Sequence, residues 1–267
     1  MSTAAERPAA RTATESTATA ATGDNAGRVA IVTGASRGIG REAAQRLAAE
    51  GYAVVVGYAG SPAEAESVVA AIEKGGGRAV AARADVADED AVAAMFTLAE
   101  ERFGGVDAVV HAAGRMDLAP IAELDLDSLD RQHRTNIRGT FVVLQQAARR
   151  VRDGGSLITF SSSVVGLRFP GYAAYAASKG AVEAVTLIVA RELRGRNINV
   201  NAVAPGPTAT ALFLDGKDEA AVANLAAQPP LERLGTPEDM AGVVAFLASP
   251  SGHWVNGQVI RANGGII

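Results

Sequence analysis

From Arg28 to the C-terminus the chain alternates short runs of Val, Ile and Ala with longer stretches whose apolar residues return every three or four positions. The short runs predict strands over 29–33, 53–58, 79–84, 106–111, 156–161, 198–203 and 257–261. The longer stretches predict helices such as 39–50, 62–74 and 89–102. Toward the end, 241–248 reads as a buried helix and 254–267 as a strand with glycine turns. Strands this continuously apolar are buried on both faces, and strand–helix alternation points to a parallel sheet. No repeat or linker interrupts residues 28–267, so the expected class is α/β, a single doubly wound domain. Residues 1–27, rich in Ala and Thr without periodicity, predict a disordered N-terminal tail. That stretch lacks the apolar centre of a secretory signal, and Glu6, Glu15 and Asp24 argue against a transit peptide despite Arg7 and Arg11.

Composition narrows the chemistry. At 267 residues with 48% hydrophobic and 20% charged side chains, the chain can bury a sizeable core, and 4% aromatics means Ala, Val, Ile and Leu must fill it. The net charge of −4 comes without a lysine-rich block, which disfavours a nucleic-acid partner. No uninterrupted apolar run reaches the ~20 residues of a membrane helix, so no membrane partner is expected. Cysteine is absent, which excludes disulfides and thiol nucleophiles and fits a reducing compartment; the expected location is cytoplasmic. His111, His133 and His253 lack metal-ligand spacing, so no metal is expected.

The strongest local signal is Thr33 to Gly40, T-G-A-S-R-G-I-G, between the first strand and the first helix. Gly34 allows a tight turn, Gly38 lets the backbone approach a pyrophosphate, and Gly40 allows close helix–strand packing; Ser36, Arg37 and Ile39 share the turn. An ordinary strand-to-helix turn is the plain alternative, but the strand–turn–helix context favours dinucleotide binding. An NAD-binding fold carries an acid about 20 residues past the turn. Here that position is Tyr58, with Ser61 after it and no acid, while Arg37 can pair with a 2′-phosphate. The cofactor expectation is therefore NADP(H) over NAD(H).

Further motifs lie downstream in fixed order: Asp85-Val86, Asn136 in T-N-I-R-G-T, Ser162, Tyr175-Ala-Ala-Ser-Lys179 and Pro205-Gly206. With the G-x-x-x-G-x-G turn, this set resembles the short-chain dehydrogenase/reductase family, and in particular 3-oxoacyl-[acyl-carrier-protein] reductases. The resemblance implies a Rossmann-type domain with a mostly parallel seven-stranded sheet, catalytic Asn136, Ser162, Tyr175 and Lys179, and a substrate lid over about 208–234. It also implies Asp85 and Val86 beside adenine, Ala112, Ala113 and Gly114 beneath the cofactor, and Pro205 and Gly206 near nicotinamide, with Tyr175 and Lys179 touching it. Thr208 and Thr210 are candidates for the carboxamide or phosphates, and a homotetramer is the implied assembly. One motif departs from the family's N-N-A-G: the chain reads His111-Ala112-Ala113-Gly114, which makes His111 a structural substitute rather than a base.

The residues themselves suggest the same chemistry. Tyr175 and Lys179 are one helical turn apart on one face, and an ammonium beside a phenol of pKa ~10 favours the phenolate. Tyr175 can then protonate a carbonyl as hydride arrives, with Ser162 hydrogen-bonding the carbonyl oxygen. Spacing from Tyr175 selects Ser162, whereas the following Val-Val-Gly could select Ser163. Tyr172, seven residues before Lys179, fits the Y-x6-K spacing of enoyl reductases, but only Tyr175 also fits the serine. Ala211 to Leu214 form an apolar stretch suited to covering a modest carbonyl substrate. Arg131, Arg134, Arg138, Arg149, Arg150 and Arg152 form either a carrier-protein dock or a solvated face. The expected reaction interconverts a small carbonyl or acyl-thioester substrate and its alcohol; the rival is a catalytically silent NADP-binding sensor or scaffold.

Overall fold

A computed structural model describes Asn25 and residues 27–267. Asn25 is buried and its carbonyl accepts from Arg28 N–H at 3.0 Å, which turns the chain into the first strand. The rest of the expected tail lies outside the described residues.

Seven strands, β1 (Val29–Thr33), β2 (Ala53–Tyr58), β3 (Arg78–Arg83), β4 (Ala108–His111), β5 (Ser156–Phe160), β6 (Asn199–Pro205) and β7 (Val259–Ala262), form one sheet in the order β3-β2-β1-β4-β5-β6-β7. Every adjacent pair is parallel, so the sheet is wholly rather than mostly parallel. Among the described residues ten α-helices punctuate it: α1 (Gly38–Ala49), α2 (Pro62–Lys74), α3 (Glu89–Phe103), α4 (Leu126–His133), α5 (Gly139–Arg150), α6 (Val164–Leu167), α7 (Ala173–Glu192), α8 (Ala211–Leu214), α9 (Glu219–Ala226) and α10 (Pro237–Ala248).

The period-two alternation of β1 divides the core. Val29 and Ile31 pack with Phe96 of α3, Val143 of α5 and Val189 of α7 in one layer. Ala30 and Val32 pack with Leu47 of α1, Val68 of α2 and Val244 of α10 in the other. Local chemistry sets several ends: Asp88 caps α3 by accepting from Asp90 and Ala91 N–H, Gly104 closes it in a left-handed conformation, and Thr236 and Asp239 form a capping box on α10. Of the expected 254–267 strand only β7 forms, and Trp254 is 99% exposed.

α7, at 20 residues, is long and apolar enough by length and composition to cross a membrane. It buries Lys179 and packs on β5 and β6, so its apolar face serves the sheet. Strand order reverses direction between β1 and β4, which opens a crevice at the carboxyl ends of the strands.

Candidate active site

Two adjoining hollows occupy that crevice. A groove of about 430 Å³ runs past the ends of β1, β2 and β4. Gly34, Ser36, Arg37, Gly38, Ile39 and Gly40 border it on the α1 side, Tyr58 and Ser61 at the β2 end, and Asp85 and Val86 after β3. Ala112, Ala113 and Gly114 border it after β4, and Thr210 reaches it from beyond β6. Thr135, which sequence reasoning missed, joins them; it stands in an irregular turn with no hydrophobic period to mark it. A tighter cleft of about 130 Å³ is bordered by Ser162, Tyr175, Lys179, Pro205, Gly206 and Thr208. The two hollows share Ile39, Ala112, Gly114, Thr210 and Leu212.

The glycine turn is held by its neighbours. Gly34 has φ +63, and a Cβ there would stand 2.8 Å from the backbone of Ala113. The first turn of α1, Gly38 to Gly40, borders the groove, and Arg37 is exposed beside it. Asp85 accepts from Ala87 N–H at 3.0 Å and from the Arg134 guanidinium at 2.6 Å. Burial pushes its pKa up, but these two partners outweigh that and hold the carboxyl below its usual range.

In the tighter cleft, Lys179 is buried and its Nζ donates to the Phe160 carbonyl at 2.7 Å, while lying 5.7 Å from the Tyr175 ring centroid. Burial lowers the Lys179 pKa to about 8. Burial also raises the Tyr175 phenol to about 12, opposed by a hydrogen bond with Ser162 and reinforced by neighbouring Tyr172. The expected lowering by the i, i+4 ammonium is not found: loss of water around the phenol dominates, and the influence that opposes it comes from Ser162. The three consecutive serines differ. Ser161 donates to Glu183 at 2.6 Å, and Ser163 donates to the Ala204 carbonyl at 3.2 Å while accepting from Asn263 at 3.0 Å. Ser162 faces Tyr175.

Asn136 stands apart from the cleft lining. It lies in a π-helical turn, Arg134–Arg138, between α4 and α5. Its Oδ1 accepts from Arg115 N–H at 2.8 Å, and its Nδ2 donates to the Arg115 carbonyl at 2.8 Å and to Ser178 Oγ at 3.0 Å. The side chain therefore secures the loop after β4. Thr208 donates to the Gly206 carbonyl at 2.9 Å, and Thr210 caps α8 by accepting from Phe213 N–H. Tyr172 meets Phe169 edge-on at 5.8 Å, and with Met116 and Phe213 these rings give the cleft an apolar wall. Among the described residues no cluster of three or more His, Asp or Glu is placed to hold a metal ion.

A family model described as enoyl-(acyl carrier protein) reductase matches residues 34–267. A "Short-chain type dehydrogenase/reductase" of Picea abies is 48% identical over 249 residues, covering 90% of this chain and 92% of that protein. The chain belongs to the short-chain dehydrogenase/reductase family.

Other similar members of the family carry more specific names. A chloroplastic "NADPH-dependent aldehyde reductase-like protein" of Arabidopsis thaliana is 41% identical over 256 residues, covering 91% of this chain and 95% of that protein. The crystal structure of angucycline C-6 ketoreductase LanV with bound NADP superposes with a TM-score of 0.86 at 36% identity, covering 91% and 97% of the two chains. This short-chain dehydrogenase/reductase is thus an oxidoreductase by family. Five of its six clustered arginines are paired to acids. Arg131 pairs with Asp125 at 3.5 Å, Arg134 with Asp85 at 2.6 Å, Arg138 with Glu89 at 2.7 Å, Arg150 with Glu100 at 2.5 Å, and Arg152 with Asp107 at 3.2 Å.

Proposed function

We propose that the protein uses NADPH to reduce an apolar carbonyl compound to its alcohol, and runs the reverse oxidation, with Tyr175 as proton donor and acceptor. The observation that carries this reading is the convergence of Tyr175, Ser162 and Lys179 on one apolar cleft that opens into the glycine-turn groove. Bound NADPH supplies the hydride that arrives at the carbonyl carbon. The Tyr175 phenol gives its proton to the carbonyl oxygen, the Ser162 hydroxyl hydrogen-bonds the same oxygen, and the Lys179 ammonium stabilises the phenolate left behind. Asn136 keeps the loop after β4 in register with this group through Arg115.

Because Ser161 and Ser163 donate elsewhere, Ser162 is the serine assigned to the carbonyl. Steady-state kinetics should find Ser162→Ala lowering kcat by about 10²-fold or more, with Ser163→Ala much milder; the reverse order would reassign the role.

The residues present fit NADP(H). Arg37 and Ser61 border the β2 end of the groove, where no carboxylate stands to meet a ribose hydroxyl. A guanidinium–phosphate hydrogen bond is worth about 1.5–3 kcal/mol, roughly 10- to 100-fold in affinity. Arg37→Ala should therefore cut kcat/KM with NADPH by about that factor while leaving NADH nearly unchanged. Equal losses with both cofactors would remove Arg37 from phosphate recognition.

For the substrate, about 130 Å³ is close to the ~150 Å³ apolar cavity that takes one benzene. Phe169, Tyr172, Phe213 and Met116 suit a ring-sized neutral group, and Lys179 is the sole cation among the lining residues. This favours a neutral ketone or aldehyde over a 3-oxoacyl thioester, whose carrier would meet arginines already paired to acids. Residues 208–234 would form the lid, with Leu212, Phe213 and Leu225 facing the cleft. A panel of aromatic ketones, aldehydes and 3-oxoacyl thioesters, followed by loss of NADPH absorbance, tests the reading. Binding of NADPH without turnover of any would favour the sensor. The assembly proposed is a homotetramer, supported by exposed Phe141 on α5, Leu187 and Ile188 on α7, and Phe246 and Trp254 toward the β7 edge; light scattering measures it.

A further inference from the structure

His111, at the end of β4, is buried between the two hydroxyls of Thr33 and Thr140. Thr140 Oγ1 lies 2.6 Å from the Asn136 carbonyl, which can only accept, so the Thr140 proton is committed there. His111 Nε2, 3.1 Å from the same Oγ1, must therefore carry a hydrogen and donate it. On the other side, Thr33 Oγ1 accepts from Ala113 N–H at 3.2 Å and lies 2.9 Å from His111 Nδ1, which is left to accept the Thr33 proton. One tautomer satisfies the whole chain, from Ala113 N–H through Thr33, His111 and Thr140 to the Asn136 carbonyl. A second proton on the ring would leave the Thr33 hydroxyl hydrogen without this acceptor.

The chain joins two parts that the proposed chemistry needs in fixed relation. Ala113 is held through Thr33 and His111, and Arg115 is held at both N–H and carbonyl by the Asn136 side chain. Gly114 lies between them, and a Cβ there would stand 3.6 Å from both Lys179 Nζ and Asn136 Oδ1. We infer that His111 is a positioning residue: its neutral Nε2–H ring locks Ala113 to the π turn of Asn136 and so holds the Gly114 loop against Lys179. The role rests on the catalytic reading of Lys179, but the tautomer itself does not. Burial pushes the His111 pKa down to about 3, reinforced by Lys179, the charged group acting on the ring.

Long-range ¹H–¹⁵N NMR of the wild-type protein should find His111 as a single Nε2–H tautomer that does not titrate from about pH 5 to about pH 8. An Nδ1–H tautomer or a titration in that range would overturn the lock, whatever the protein's activity. Thr140→Val removes the acceptor for Nε2–H and keeps the side-chain shape, and His111→Leu removes both ring nitrogens. Both should lower kcat by about 10- to 100-fold with carbonyl KM little changed, while His111→Asn, which keeps an acceptor for Thr33, recovers part of the loss. Unchanged kcat in a folded Thr140→Val protein, or losses confined to melting temperature, would reduce His111 to a packing residue. If the wild type turns over no carbonyl, the catalytic reading fails while the NMR result still decides the lock.

Discussion

Replacing Tyr175 by Phe should lower kcat for carbonyl reduction by about 10²- to 10⁴-fold, the usual range for a positioned general acid, with NADPH affinity little changed. The ring and its packing remain and only the phenolic hydroxyl is removed, so a folding defect would not explain the loss. The wild-type pH profile carries the sign. With the phenol raised to about 12 by burial, Tyr175 is protonated throughout the neutral range and ready to act as the acid in reduction. Alcohol oxidation needs the phenolate, whose fraction grows roughly tenfold per pH unit below that value, so oxidation should accelerate as pH rises. Reduction should weaken above about 8, where Lys179 loses the charge that stabilises the developing phenolate. Steady-state rates in both directions from mildly acidic to alkaline pH check this, and Tyr175→Phe should flatten the oxidation profile. Near-wild-type reduction by the Phe protein would transfer the role elsewhere, with Tyr172 on the same cleft the first to examine.

The framework was legible because its signals are local. β1, β2 and α2 fall where the apolar β-branched runs and the three-to-four periodicity say they should, since a doubly buried strand admits little else. Tyr175 and Lys179 were legible from helical spacing, and the glycine turn from its place between strand and helix. What escaped is long-range or irregular. The π turn around Asn136 follows a hydrogen-bond spacing with no hydrophobic period of its own, so neither Thr135 nor the grip on Arg115 left a sequence mark. Arg134, Arg138, Arg150 and Arg152 look like a basic patch in one dimension because their acids lie 45 to 50 residues away. His111 read as a departure from a motif; its two threonine partners are 78 and 29 residues distant, Thr33 reaching it across the β1–β4 pairing and Thr140 from α5.

The glycine turn yields the second large effect. Gly40 is the third residue of α1, and a Cβ there would run into the Gly34 carbonyl oxygen and approach Ala35 Cα at 3.2 Å. These are backbone atoms, and they cannot swing aside as a side chain would. Gly34 has little room to retreat either, because even a methyl-sized addition on it would stand 2.8 Å from the Ala113 backbone. Gly40→Ala must therefore displace α1 from β1, disturbing the contacts of Ala43, Ala44 and Leu47 in the core. The expected cost is about 1–3 kcal/mol of stability, as for other overpacked cores. Because the same displacement moves the backbone N–H groups at the start of α1, NADPH affinity should fall about tenfold or more. Gly242→Ala is the matched control: it lies in α10, its added methyl meets nothing within 4 Å, and it should gain about 0.5–1 kcal/mol from helix propensity. Thermal melts and fluorescence titration with NADPH separate the two variants. A Gly40→Ala protein that binds NADPH like the wild type would mean that this turn does not hold the phosphates, and the cofactor reading would have to be moved out of the groove.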